Sequence, residues 1–84
     1  MISIEWDPKA LDFLRKIEKH IAKRIFDKID NEVRFNPERY LETLESYNCY
    51  KVRIGDYRLF VDYSKEKEFF VIRAIRHRRE AYKR

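Results

Sequence analysis

The sequence predicts a small α+β domain of order β-α-α-β-β-β, an antiparallel sheet with two N-terminal helices packed on one face. Two features of the apolar pattern predict it. From Leu11 to Val33 apolar residues recur three or four apart, the period of a helix face, and from Tyr50 onward they alternate, the period of a strand. A length of 84 residues is that of one domain, expected to span 1–84, whose core covers only roughly 60% of the surface the unfolded chain would expose.

Ile2, Ile4 and Trp6 alternate with Ser3 and Glu5, which predicts a short half-buried strand over Ile2 to Trp6. Asp7-Pro8 then starts a helix, because the Asp carboxylate can accept from free backbone N–H groups and Pro needs no donor in the first turn. Leu11, Leu14, Ile17, Ile21, Ile25, Ile29 and Val33 carry the helical stripe to the stop signal Asn36-Pro37. A single straight helix over that span would be about 42 Å long, against about 30 Å for the width of such a domain, so it should break, at Glu18 to His20. Residues 37–48 show no clear period and read as a connection with a helical turn at Pro37 to Leu41. Tyr50, Val52 and Ile54 then alternate up to Gly55-Asp56, and Tyr57, Leu59, Val61 and Tyr63 alternate after it, a hairpin whose loop places a positive φ at the glycine. A third strand is expected from Glu68 to Arg76, followed by a basic tail from His77 in a turn or fraying helix.

Charge is abundant and unevenly placed. Charged residues make up 42% of the chain, against about 25% in ordinary domains, yet the net charge is only +5. Residues 1–46 hold 9 basic and 10 acidic side chains, whereas residues 47–84 hold 11 basic and 5 acidic. The basic half points to a polyanionic partner, nucleic acid before membrane. Its longest apolar run, Phe69 to Ile72, is far short of the ~20 residues that cross a bilayer, and the first residues lack the apolar centre of a signal peptide, so a cytoplasmic protein is expected. Cys49 is the only cysteine, and with two histidines it cannot complete a structural zinc site; no metal and no cofactor are expected.

The hairpin register sets Ile54 against Tyr57, Arg53 against Arg58, Val52 against Leu59 and Lys51 against Phe60. Two arginines therefore face each other, which destabilises a strand pair, and Lys51 points to the same side. Either this face is an ordinary solvated basic surface, where screening makes the repulsion tolerable, or an anion binds between the cations.

The run Tyr50-Lys51-Val52-Arg53-Ile54-Gly55-Asp56-Tyr57-Arg58-Leu59, followed by a strand and His77-Arg78-Arg79-Glu80-Ala81-Tyr82, resembles the toxins of the RelE/ParE superfamily over essentially the whole chain. The resemblance implies a RelE-like fold and a toxin of a type II toxin–antitoxin pair. For the RelE branch it implies a ribosome-dependent endoribonuclease that cuts messenger RNA in the decoding site, with a RelB-like antitoxin as partner. It implies catalytic positions at Lys51, Arg53, Arg58, Arg78 and Tyr82, with Arg76 or Arg79 as substitutes for Arg78 and with Arg76, His77 and Arg79 as further phosphate or RNA contacts.

Metal-free RNA cleavage needs a base for the ribose 2′-hydroxyl, stabilisation of the attacked phosphate and a proton for the departing 5′-oxygen. A histidine pair is the usual means, but His20 lies in the helical half and His77 at the end of the last strand. Lys51 is the expected base, since neighbouring cations disfavour its protonated form. Arg53 and Arg58 hold the phosphate, Arg78 joins them or donates through a water, and Tyr82 stacks on a base or orients the hydroxyl. Two other readings stay open: a ParE-type toxin acting on DNA gyrase, and a non-catalytic basic module that binds RNA or ribosomes.

Overall fold

The computed structural model describes residues 2–44 and 49–81. β1 (Ser3–Trp6) leads into α1 (Pro8–Lys16) and α2 (Lys19–Lys28), and α2 runs on into a π-helical segment at Ile29–Val33. After α3 (Pro37–Tyr40) come β2 (Glu42–Thr43), β3 (Cys49–Ile54), β4 (Tyr57–Ser64), β5 (Phe69–His77) and α4 (Arg78–Ala81). The described strands form one sheet in the order β1-β5-β4-β3-β2. Neighbours are antiparallel except β1, which lies parallel to β5 with Ser3 opposite Phe69 and Trp6 opposite Ile72.

Local chemistry accounts for the helix boundaries. Asp7 caps α1, its carboxylate accepting from the Lys9 N–H at 2.9 Å, and Pro8 occupies the first turn. The helical stretch breaks as its length demands, but at Ile17 and Glu18, slightly before the expected Glu18 to His20, and Lys19 and His20 already belong to α2. At the far end of α2 the Arg34 N–H reaches back to the Ile29 carbonyl at 2.9 Å, which closes the wider π turn. In an ideal α-helix, residues four apart drift about 40° round the axis. Ile29 and Val33, at the two ends of the π-helical segment, are both fully buried.

Ala10, Ile25, Ile29 and Val33 of the helical layer meet Val52, Ile54, Leu59, Val61, Phe70, Ile72 and Ile75 of the sheet in one core. The alternation along β3 and β4 leaves Lys51, Arg53 and Arg58 on the opposite face. The helical turn expected at Pro37 to Leu41 is present as α3, but the connection after it needs correction, because Glu42 and Thr43 form β2, opposite Lys51 and Tyr50. Two residues are too few to show a strand period. Among the described residues no helix is long and apolar enough to cross a membrane.

Candidate nucleic-acid interface

The β3–β4 hairpin turns at Gly55, whose φ of +58° is open to glycine and costly to other residues, and its register sets Arg53 against Arg58 as the sequence predicts. The next strand extends the pairing, because Arg58 stands opposite Arg76 of β5. Three arginines on three adjacent strands thus form one row on the face away from the helices, with neighbouring Cβ atoms about 5 Å apart. Arg58, in the middle, is only 8% exposed and is the buried charged residue among the described residues. Arg53 forms the open end, with 57% of its side chain exposed. Water is largely removed from the centre of the row, which strengthens the attraction of Arg58 for an anion entering between its neighbours.

A hollow of about 220 Å³ opens beside the row, lined by Arg53, Gly55, Asp56, Tyr57, Arg58 and Arg78. Arg78 is brought there by a backbone bond: its N–H donates to the Asp56 carbonyl at 2.6 Å and ties the first turn of α4 to the hairpin loop.

Lys51 is two residues further from the loop than Arg53, on the same face. The Glu42 carboxylate lies 3.8 Å from its amine and 4.0 Å from the Arg53 guanidinium. Glu42 is absent from the sequence-derived site. Its position depends on β2 pairing with β3, which no local pattern reveals.

The remaining expected positions divide. Arg76 joins the row through strand register and Arg78 joins through the wall of the hollow, so the structure brings both together with Arg53 and Arg58. His77 lies opposite Tyr57 on the helix side of β5, edge-on to that ring with centroids 5.2 Å apart, and does not reach the row. Its Nδ1 accepts from the Arg79 N–H at 3.2 Å, which places Arg79 on exposed α4. Tyr82 lies outside the described residues.

Further along the same face, Arg73 Nε donates to Asp62 Oδ2 at 2.6 Å and Cys49 Sγ donates to Asp62 Oδ1 at 3.5 Å. Burial, and then the Asp62 hydrogen bond and charge, push the Cys49 thiol above its ordinary range, which keeps it a neutral donor.

Residues 4–82 match the model of the ParE toxin family, described as the ParE toxin of a type II toxin–antitoxin system. No curated protein matches the chain significantly. Among solved structures, the toxin–antitoxin complex RelBE2 of Mycobacterium tuberculosis has a chain with 22% identity, a TM-score of 0.83, and coverage of 92% of this chain and 98% of its own. The archaeal RelE–RelB complex of Pyrococcus horikoshii gives 19% identity, a TM-score of 0.77, and coverage of 92% and 94%. The isolated E. coli RelE toxin gives 23% identity, a TM-score of 0.72, and coverage of 92% and 84%. These likenesses show a RelE fold, and the family match over nearly the whole length shows that the chain belongs to the RelE/ParE superfamily of type II toxin–antitoxin toxins.

Proposed function

We propose that this toxin is a RelE-type endoribonuclease that cuts messenger RNA in the decoding site of the ribosome, by attack of a ribose 2′-hydroxyl on the adjacent phosphorus. The observation that carries the reading is the row Arg53, Arg58 and Arg76, three guanidinium groups held in register where strand stability alone favours other pairs. Arginine stays protonated and presents a planar fork to phosphate oxygens, so the row is a preorganised cradle for the charge that develops on the attacked phosphate.

In the proposed reaction the 2′-oxygen bonds to phosphorus as the bond to the 5′-oxygen breaks, leaving a 2′,3′-cyclic phosphate and a 5′-hydroxyl. The proton of the 2′-hydroxyl passes to Lys51 acting in its neutral form, and the departing 5′-oxygen takes a proton from water held at Arg78. Tyr82 keeps the role that the family resemblance gives it, stacking on a base or orienting the hydroxyl.

The size of the site supports dependence on the ribosome. At about 220 Å³ the hollow is smaller than the roughly 300–1,000 Å³ of pockets that enclose a small ligand. It can grip a phosphate but does not orient a strand of RNA for in-line attack, which leaves that gain to the ribosome. A RelB-like antitoxin is the proposed partner, because the M. tuberculosis and P. horikoshii relatives were solved as toxin–antitoxin complexes and the basic half of this chain suits an acidic segment.

A second reading rests on the name of the matched family, ParE, and makes DNA gyrase the target. Induced synthesis of the wild type and Arg58→Ala, with the 5′ ends of messages mapped on and off ribosomes, separates the two. Cuts on translating messages that the variant loses support the ribonuclease. DNA damage and filamentation with intact messages support the gyrase reading.

A further inference from the structure

The buried residues of β5 change phase within the strand. Phe70 and Ile72 are spaced by two, but the next buried residue is Ile75, spaced by three. The pairing with β4 slips at the same place: Val61 lies opposite Ile72, Phe60 lies opposite Ala74, and Arg73 is the extra residue of a β-bulge. Had the pairing of Val61 with Ile72 run on unbroken, Arg58 would face Ile75 and Arg76 would turn towards the helices. The bulge therefore decides which side of the sheet Arg76 occupies.

Arg73 is tied down on two sides. Its Nε donates to Asp62 Oδ2 at 2.6 Å, and its guanidinium lies 3.8 Å from Asp7, the cap of α1, whose N–H donates to the Ile72 carbonyl at 2.9 Å. Asp62 is held in turn by Cys49 of β3. With 55% of its side chain exposed, Arg73 adds nothing to the core, so its contacts act on the local path of the strand.

We propose that Arg73 and Asp62 are positioning residues, a clamp on the β5 bulge that puts Arg76 into the phosphate-binding row. The role rests on the ribonuclease reading, while the geometry can be tested without RNA. An Arg76→Cys thiol in a Cys49→Ser background is expected to label readily in the native toxin. Deleting Arg73 removes the extra residue and leaves position 76 opposite Arg58, so labelling should persist, whereas Arg73→Ala, which keeps the residue and removes the clamp, should reduce it and Arg73→Lys should restore it. Circular dichroism and antitoxin binding report that each variant is folded.

On ribosomes, Arg73→Ala is expected to lower kcat on the order of 10²-fold with little change in KM, the cost of a misplaced catalytic group. The double variant R73A/R76A should be no slower than Arg76→Ala alone, whereas R73A/R53A should be slower than either single variant. Unchanged labelling in Arg73→Ala, or additive losses at 73 and 76, overturns the clamp. Altered labelling together with wild-type cleavage by Arg76→Ala overturns its catalytic role and leaves the geometry of the bulge standing.

Discussion

Arg53 and Arg58 face each other across the β3–β4 pair, so the hairpin nearest the hollow is built on a repulsive contact. The opposition is tolerable in the empty protein because Arg53 reaches solvent and lies near Glu42. A phosphate bound between the two groups, as proposed, would turn the opposition into an attraction. Stability and function should therefore pull in opposite directions at this pair.

Replacing Arg53 with threonine tests that opposition. Arg53→Thr should stabilise the toxin by about 0.5 kcal/mol in urea melts at low salt, the size of a like-charge cross-strand penalty, and the gain should shrink as salt is added. Cleavage on ribosomes should fall at the same time. A variant that is both less stable and fully active would show that the pair is ordinary surface.

Glu42 is ion-paired with two cations of the proposed RNA site, Lys51 and Arg53. Glu42→Gln should free them for one more phosphate contact. Binding of a non-cleavable single-stranded RNA, followed across a salt series, should then steepen by about 0.7 in the slope of log K against log salt.

Acid should loosen the helical layer before the sheet. Glu32 accepts from Lys28 at 3.0 Å and from the Tyr40 hydroxyl at 3.1 Å, linking the π-helical segment to α3. The Lys28 bond, then the Tyr40 bond, hold its carboxyl below the ordinary value of 4.5. A carboxyl lowered by folding adds stability that is complete above the unfolded value and is lost as pH falls through the folded one. Thermal melts below pH 4.5 should therefore decline more steeply for the wild type than for Glu32→Gln. Parallel declines would remove Glu32 from the account.

Gly55 is the hinge of the hairpin register. A Cβ added there meets nothing within 4 Å, so any loss in Gly55→Ala comes from the positive φ of +58° and not from crowding. The expected cost is about 1 kcal/mol in equilibrium unfolding, with a smaller loss for Gly55→Asn, which tolerates that region better. An alanine variant as stable as the wild type would mean that the loop has another accessible conformation.

Much of the site is legible in the sequence because a two-residue loop fixes register. Once Gly55-Asp56 is identified, the positions of Lys51, Arg53 and Arg58 follow by counting, and the structure repeats that count residue for residue. The C-terminal side could not be counted in the same way. A bulge shifts the alternation by one without any glycine or proline to mark it, so Arg76, Arg78 and Arg79 remain equivalent in the sequence and separate only in space. The step from Ile72 to Ile75 is the trace it leaves. Glu42 was hidden for a different reason, since a two-residue strand is defined by its partner and has no period of its own.

The placement of β1 beside β5 also sets the order in which the molecule can be made. Ser3 has no strand partner until Phe69 exists, and this first-to-last pairing is the kind of long-range contact that folds late. During synthesis the opening strand waits while the helices and the hairpin emerge, and the sheet closes only after β5 has been released. The arginine row is completed by the same strand, through Arg76. The cradle proposed for the phosphate is therefore completed only by the same late strand that gives β1 its partner.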